Sequence, residues 1–402
     1  MWLLLIGELI MALGIGMTQP YAVVLLHDIR GYSLAVATGI WALGPIVTIA
    51  GNAVAGPLID RRGGRFVMVI GIVLVGISLL ALAYGPGLAS AMGSVMIGGL
   101  GFSFALPALA TRLAILTPEK LRARVFTTEY VIMNLGMAIG AAVGGVAFAV
   151  WPPDTETGKS VLPMLWVAAA ALSVVYIVVT VLAGRQMAPP SDDTDAMSKG
   201  GYRRALGNRT LVRILVAAAL LSTLGYGIYN AAPSVMALAA ADPAALGWAG
   251  VANSLAIVVG APVALRLADR ISARSALLCT AGLWGLAWAI CVPTVLGGGL
   301  GTRAALTVAS VLIGFGELLI AGALPTLING MAPDDLRGRY NALSNLALTV
   351  GMAAGPLLTS ASAVVDSTVS LLYVAVALAA VASLLLLRRT SVAEAKADGP
   401  QS

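Results

Sequence analysis

GPLIDRRGGRFVMVIGIVLVGISLLALAY, residues 56–84, is the stretch that decides how the chain is read. One acid and three arginines (Asp60, Arg61, Arg62 and Arg65) precede nineteen residues, 66–84, that carry no charge. A helix needs about 20 apolar residues to cross the hydrocarbon of a bilayer, so this segment reads as one crossing with a polar turn at its edge. The pattern continues in both directions. Charged or Pro/Gly-rich breaks divide the 402 residues into twelve apolar stretches: 2–27, 34–56, 66–86, 88–112, 126–151, 162–184, 209–232, 245–266, 274–296, 303–329, 338–364 and 367–388. Their interiors are Leu, Val, Ile, Ala and Gly without the alternating polarity of a barrel strand, so helices are expected. The fold class is an all-α membrane protein with twelve transmembrane helices.

Composition excludes the main alternatives. Charged residues make up 10% of the chain and hydrophobic ones 59%, whereas a soluble domain carries roughly 25% charged residues. A soluble enzyme, a nucleic-acid binder or a secreted scaffold could not build its surface from so few charges. Two cysteines and one histidine, His27, provide neither a disulfide framework nor a four-ligand metal site. No catalytic nucleophile–base pair and no Walker-type loop occurs. We therefore expect no enzyme activity, no metal and no cofactor beyond a proton gradient.

The basic residues set the orientation. Twenty-one of the 24 Lys and Arg fall in segments on one side, including Arg61, Arg62, Arg65, Arg112, Arg266, Arg270, Arg274 and Arg339; only Arg30, Lys159 and Arg303 fall on the other. Positive residues are retained in the cytoplasm, which predicts a multi-pass protein of the cell (inner, cytoplasmic) membrane with both termini cytoplasmic. The net charge of +6 then reflects topology and does not call for a nucleic-acid partner. Met1 is followed at once by apolar residues, without the basic leader of a cleaved signal peptide.

The chain also repeats. PEKLRARVF at 118–126 answers PDDLRGRYN at 333–341, an offset of 215; LGMAIGA at 135–141 answers VGMAAGP at 350–356, and Gly99 and Gly101 answer Gly314 and Gly316, all in the same register. RQMAPPSDDTDAMSKGGYRRALGN, residues 185–208, is the longest polar stretch and reads as a linker. The expected organisation is a six-helix bundle over 1–184, a cytoplasmic linker over 185–208, a second six-helix bundle over 209–388 and a cytoplasmic tail over 389–402. Parallel six-span repeats with a path between them are a transporter architecture.

The loop at 56–65 resembles the signature of the major facilitator superfamily, G-x-L-a-D-r-x-G-r-r, with Gly56, Leu58, Asp60, Arg61, Gly63 and Arg65 in place. LRLADRISAR at 265–274 is a worn copy that keeps Asp269, Arg270 and Arg274. The resemblance implies two pseudo-symmetric bundles of the major facilitator fold. It also implies a conformational latch, in which Asp60 docks against the start of the eleventh span. Read physically, Gly56 and Gly63 permit close approach and left-handed turns. NLGMAIGAAVGG at 134–145 is similar to the glycine-rich motif of drug exporters in that family, G-x-x-x-G-P-x-x-G-G, but Ala141 stands at the proline. Val95 stands where many proton-coupled exporters carry an arginine, and Arg112 is expected to snorkel to headgroups.

Candidates for the substrate and proton pathway are polar groups inside spans. Glu317 is fourteen residues into the tenth span, about 20 Å along it, and Glu8 about 10 Å into the first. Intramembrane carboxyls are expensive and ordinarily face a wet cavity; one that gains and loses a proton as the cavity switches sides can couple transport to a gradient. Gln19 is three helical turns after Glu8, so both are expected on one face. Tyr226, Tyr229 and Asn230 are spaced i, i+3, i+4, again one face. Asn253 and Trp41 complete the set. The resemblance places the third and sixth helices of each half against lipid, Cys279 and Cys291 among them, and His27, Asp28 and Arg30 fall at an outer edge. The functional expectation is alternating-access transport of a small organic molecule by a monomer in the lipid bilayer. Proton-coupled efflux is the first reading and nutrient import or uncoupled facilitation the second; a non-transporting receptor or assembly protein is remote.

Overall fold

The computed structural model describes residues 1–183, 201–268, 270–333 and 336–387; within these, the side chains of residues 60, 119, 120, 122, 123, 201, 265, 268, 337 and 338 lie outside the description. The expected tail and most of the expected linker fall outside it as well. Twelve helices among the described residues are long and apolar enough to cross a membrane. They are α1 (Trp2–Ile29), α2 (Leu34–Ile59), α3 (Gly64–Tyr84), α4 (Gly87–Leu116), α5 (Arg124–Val150) and α6 (Glu156–Leu182), then α7 (Arg209–Ala239), α8 (Ala245–Ala264), α9 (Ala273–Val295), α10 (Thr302–Met331), α11 (Arg339–Val364) and α12 (Thr368–Leu387).

The signature loop at 56–65 is shorter than expected. Helical backbone from Leu34 runs through Arg62, breaks at Gly63 and resumes at Gly64. Gly63 makes this break at φ +82, in the left-handed region, with its N–H donating to the Ile59 carbonyl at 2.8 Å. Part of the expected linker is also folded. Gly201–Leu206 is helical, and Asn208 caps α7, its Oδ1 accepting from the N–H groups of Thr210 and Leu211 at 3.0 and 3.2 Å. The Asn208 amide donates to the Tyr340 hydroxyl at 3.1 Å, tying this stretch to α11. Its Gly and Arg content gave it a linker's composition, but the cap and the tyrosine hold it.

Repeat positions do the same work in each half. A Cβ at Gly140 would lie 2.7 Å from the Met17 nitrogen on α1, and one at Gly351 would lie 2.7 Å from the Thr223 nitrogen on α7. One at Gly355 would overlap the backbone of Gly227 and Ile228. The glycines thus let α5 lie directly on α1, and α11 on α7, at backbone distance. One buried apolar core lies wholly within residues 205–386 and another within residues 4–176. A third, around Tyr21, Val24, Leu25, Phe148 and Trp166, is completed by Ala237 and Leu246 from α7 and α8. Outward, Val73, Ile77 and Leu80 of α3, Val174, Val178 and Val181 of α6, and Tyr373, Val381 and Leu384 of α12 are exposed, as a lipid-facing surface requires.

Candidate functional site

The two halves meet through α2 against α11 and α5 against α8. Hydrogen bonds between described residues of the two halves cluster toward the ends that carry few basic residues. The Ser360 hydroxyl donates to the Ala35 carbonyl at 2.7 Å, the Ser234 hydroxyl to the Pro20 carbonyl at 3.0 Å, and the Gln19 amide to Asn230 Oδ1 at 3.4 Å. At the same end Gly145 and Gly247 touch, a Cβ on Gly247 lying 2.7 Å from the Gly145 Cα. This is a closed face built from small residues.

Beneath it lies a cavity of about 90 Å³, lined by Gln19, Met137 and Ala141 from one half and by Tyr229, Asn230 and Asn253 with their neighbours from the other. Asn253 is buried, and its amide donates to Glu317 Oε1 at 3.0 Å and reaches the Ser310 carbonyl at 3.4 Å. The Tyr229 hydroxyl donates to Ser310 Oγ at 2.9 Å, with the Ala249 carbonyl at 3.4 Å. Glu317 is half-buried, and its carboxyl stands behind the cavity wall, one hydrogen bond from Asn253. Gln19, Tyr229, Asn230, Asn253 and Glu317 therefore form one constellation.

Three expected placements are corrected. Glu8 does not share a face with Gln19. It is 3% exposed and accepts from the Tyr176 hydroxyl of α6 at 2.8 Å, inside the first bundle. The regular α-helix ends at Thr18, whose φ of −119 departs from helical values ahead of the 3₁₀ turn Gln19–Tyr21, and Gln19 turns to Asn230 of α7. Tyr226 likewise does not line the cavity with Tyr229 and Asn230, although it stays within electrostatic reach of Glu317. Thr223–Ile228 is a π-helix, whose wider turn rotates the side chains after it, and Tyr226 packs edge-on against Trp284 with ring centroids 5.6 Å apart. Arg112 does not snorkel: it is 8% exposed, its guanidinium donating to the Thr180 carbonyl at 3.4 Å and lying 3.6 Å from the Met68 sulfur. Close packing of α3, α4 and α6 encloses it, and a Cβ on Gly64 would lie 3.1 Å from its Cγ.

The other candidates are distributed as follows. Trp41 is half-buried against the third core and does not line the cavity. His27 Nδ1 lies 2.7 Å from the Tyr32 carbonyl, and Arg30 donates to the Leu82 carbonyl at 2.7 Å and to that of Gly85, capping the end of α3. Cys291 is buried and Cys279 exposed. In the latch, Gly56 lies within continuous helix, and among the described residues no atom outside its own helix backbone comes within 4 Å of its Cβ position. Arg61 and Arg270 are exposed; Arg65 is half-buried; Asp269 and the Asp60 side chain lie outside the described residues.

Two residues were missed. Tyr130 on α5 is half-buried and, like Tyr226, within electrostatic reach of Glu317. Glu129 beside it is half-buried and within reach of Glu8. Both sit near the expected start of the fifth span at 126.

The family model for the Major Facilitator Superfamily matches residues 4–237 and 214–402. An uncharacterized MFS-type transporter of Bacillus subtilis, YttB, is 25% identical over 367 residues, covering 88% of this chain and 86% of that one. Shorter matches occur to the 4-hydroxybenzoate transporter PcaK of Pseudomonas aeruginosa (35% over 108 residues, 25% of this chain and 24% of that one) and to the quinolone resistance protein NorA of Staphylococcus aureus (28% over 135 residues, 33% and 34%). Among solved structures, a POT family transporter bound to 5-aminolevulinic acid superposes with a TM-score of 0.77 at 15% identity, over 96% of this chain and 94% of that one. The nucleoside transporter NupG does so with 0.76 at 12%, over 96% and 99%. With the family model spanning both halves and these folds matching end to end, the chain belongs to the major facilitator superfamily and is a multi-pass membrane transporter, not an enzyme.

Proposed function

We propose that the protein exports a small organic molecule by alternating access, drawing on a proton gradient through Glu317. One observation carries the reading: the Glu317 carboxyl is held by Asn253 at the back of a cavity that both halves line. A carboxyl in that position changes its exposure whenever the halves rock, which is the condition for coupling proton movement to substrate movement. Its surroundings are amides, tyrosines and apolar walls, suited to a moderately hydrophobic molecule. Similarity to the quinolone resistance protein supports export. The positive-inside rule puts the basic-rich ends in the cytoplasm, so in this reading the closed face is the outer one of a cytoplasmic-membrane protein with both termini inside, taken to work as a monomer.

Import, or facilitation without a gradient, is the second reading, favoured by the match to a 4-hydroxybenzoate transporter and by Ala141 at the exporter proline. A substrate panel in everted vesicles, with and without a pH gradient, decides between them. Uptake into everted vesicles that a protonophore abolishes, and that Glu317→Gln uncouples, is the expected result. Uptake indifferent to the protonophore selects the facilitator, and full coupling in Glu317→Gln removes the carboxyl from the mechanism.

A further inference from the structure

The ninth helix is not the plain lipid-facing span that its apolar sequence suggested. Trp284 and Trp288 are one helical turn apart and almost wholly buried, at 0% and 1% exposure. Tryptophan in membrane helices ordinarily collects at the two interfaces, where its N–H meets water. These two lie eleven and fifteen residues into α9, about 16 and 22 Å from its start. A buried indole N–H needs a partner there, and both take it from the backbone of a different helix. Trp284 Nε1 donates to the Ile313 carbonyl at 2.9 Å, and Trp288 Nε1 to the Leu224 carbonyl at 3.1 Å.

The acceptors are telling. Ile313 lies one turn before Glu317 on α10, and Leu224 lies inside the π-helix Thr223–Ile228 that immediately precedes Tyr229 and Asn230. π-turns are rare and frequently mark functional sites. The Trp284 ring occupies a slot between two glycines, Gly225 of the π-turn and Gly316 next to Glu317; a Cβ on either would overlap the indole. Tyr226 closes the slot edge-on. One turn earlier, the Thr280 hydroxyl lies 3.1 Å from the Ala276 carbonyl and 3.3 Å from that of Gly316, extending the same stripe. The signature turns ahead of α3 and α9 are 209 residues apart (Asp60 and Asp269), and at that offset the first half has Val75 and Leu79 in place of the two tryptophans, with no side-chain N–H to donate. The device belongs only to the half that carries Glu317.

We propose that Trp284 and Trp288 are positioning residues for the central pocket: their indoles lock the π-turn of α7 to the Glu317-bearing turn of α10, so that Tyr229, Asn230 and Glu317 are presented to the pocket as one unit. The inference rests on the reading of that pocket as the transport site, and its test is independent of proton coupling. Single cysteines at Asn230→Cys and at Glu317→Cys, in a Cys279→Ser, Cys291→Ser background, report local geometry through their rates of reaction with N-ethylmaleimide. Ser360→Cys, at the α2–α11 contact, reports closure alone.

Trp284→Phe is expected to change the rate at position 317 at least fivefold, and Trp288→Phe the rate at position 230, with the rate at position 360 unchanged. Where phenylalanine impairs folding, benzothienylalanine at 284 or 288 keeps the ring shape and replaces the N–H by sulfur, and it should reproduce the change. Unchanged rates at 230 and 317 in folded variants overturn the proposal, and so does an equal change at all three positions, because that reports loosening of the whole molecule. If Glu317→Gln transports with full proton coupling while the tryptophan variants still shift the rates, the proton reading fails and the positioning role stands.

Discussion

Replacing Gly247 by alanine should unlock the closed face. A Cβ there would lie 2.7 Å from the Gly145 Cα and 2.9 Å from both the Ala141 carbonyl oxygen and the Tyr21 hydroxyl. Carbon atoms in contact sit about 3.5–4.0 Å apart, so α8 must retreat from α5 by about 1 Å. Overpacking of this kind costs about 1–3 kcal/mol. The strain exists only while the ends of α5 and α8 are together, so it biases the equilibrium toward the form in which they part. That corresponds to a shift of about 5- to 150-fold. Ser234 provides the reporter: it is buried and hydrogen-bonds across the closed face to Pro20. In a Cys279→Ser, Cys291→Ser background, Ser234→Cys should react at least fivefold faster with a membrane-impermeant thiol reagent once Gly247→Ala is introduced. Gly93→Ala, where nothing lies within 4 Å of the added carbon, should leave the rate unchanged. Gly145→Ala strains the same contact, so the double variant should fall short of the summed effects. An unchanged rate in folded Gly247→Ala refutes the claim that this glycine pair closes the face.

Three further outcomes are expected. Tyr176→Phe removes the hydroxyl that donates to Glu8 and leaves a carboxyl at 3% exposure without that donor; the loss of about 1–3 kcal/mol should lower the thermal midpoint in detergent by several degrees while the apparent KM for substrate stays within twofold. Asp60→Asn should cut the transport rate while the amount of protein in the membrane, measured by immunoblot, is unchanged; a normal rate removes Asp60 from any latch. A reporter tag after Arg65 or Arg274 should be protected from a membrane-impermeant reagent in intact cells, and its labelling there would reverse the assigned orientation.

The spans were legible because a bilayer demands long apolar runs, and the repeat was legible because close helix contact demands glycine at matching places. Gly140 and Gly355 are 215 residues apart and hold equivalent helix pairs together. What the sequence hid was rotation. Tyr226, Tyr229 and Asn230 share a face only if the helix keeps its ordinary pitch, and the π-turn at Thr223–Ile228 breaks that pitch with no proline to announce it. The signals that could have revealed it were two glycines, Gly225 and Gly227, two residues apart, and two tryptophans deep in α9, far from any interface. Tyr130 was hidden differently. It sits near a span boundary, and the helix that carries it begins at Glu119, earlier than the apolar run implied.

Glu8 and Glu317 look equivalent in the sequence, each a lone carboxyl in an apolar helix, yet the fold gives them unlike surroundings. Glu8 is satisfied from α6, a helix of its own bundle, and a rocking motion that moves each bundle as a body carries Glu8 and Tyr176 together without altering their contact. Glu317 is satisfied by Asn253 beside a cavity whose opposite wall belongs to the other half. Motion between the halves therefore changes what Glu317 faces and leaves Glu8 as it was. A ligand or proton shifts a conformational equilibrium only through its different free energies in the two states, and that difference is available at Glu317. The tryptophans of α9 sharpen the asymmetry, since they grip α7 and α10 around this carboxyl while the first half has Val75 and Leu79 at the matching positions. Coupling in this molecule is thus expected to reside in one half, with the other supplying Gln19, Met137 and Ala141 as the wall against which it works.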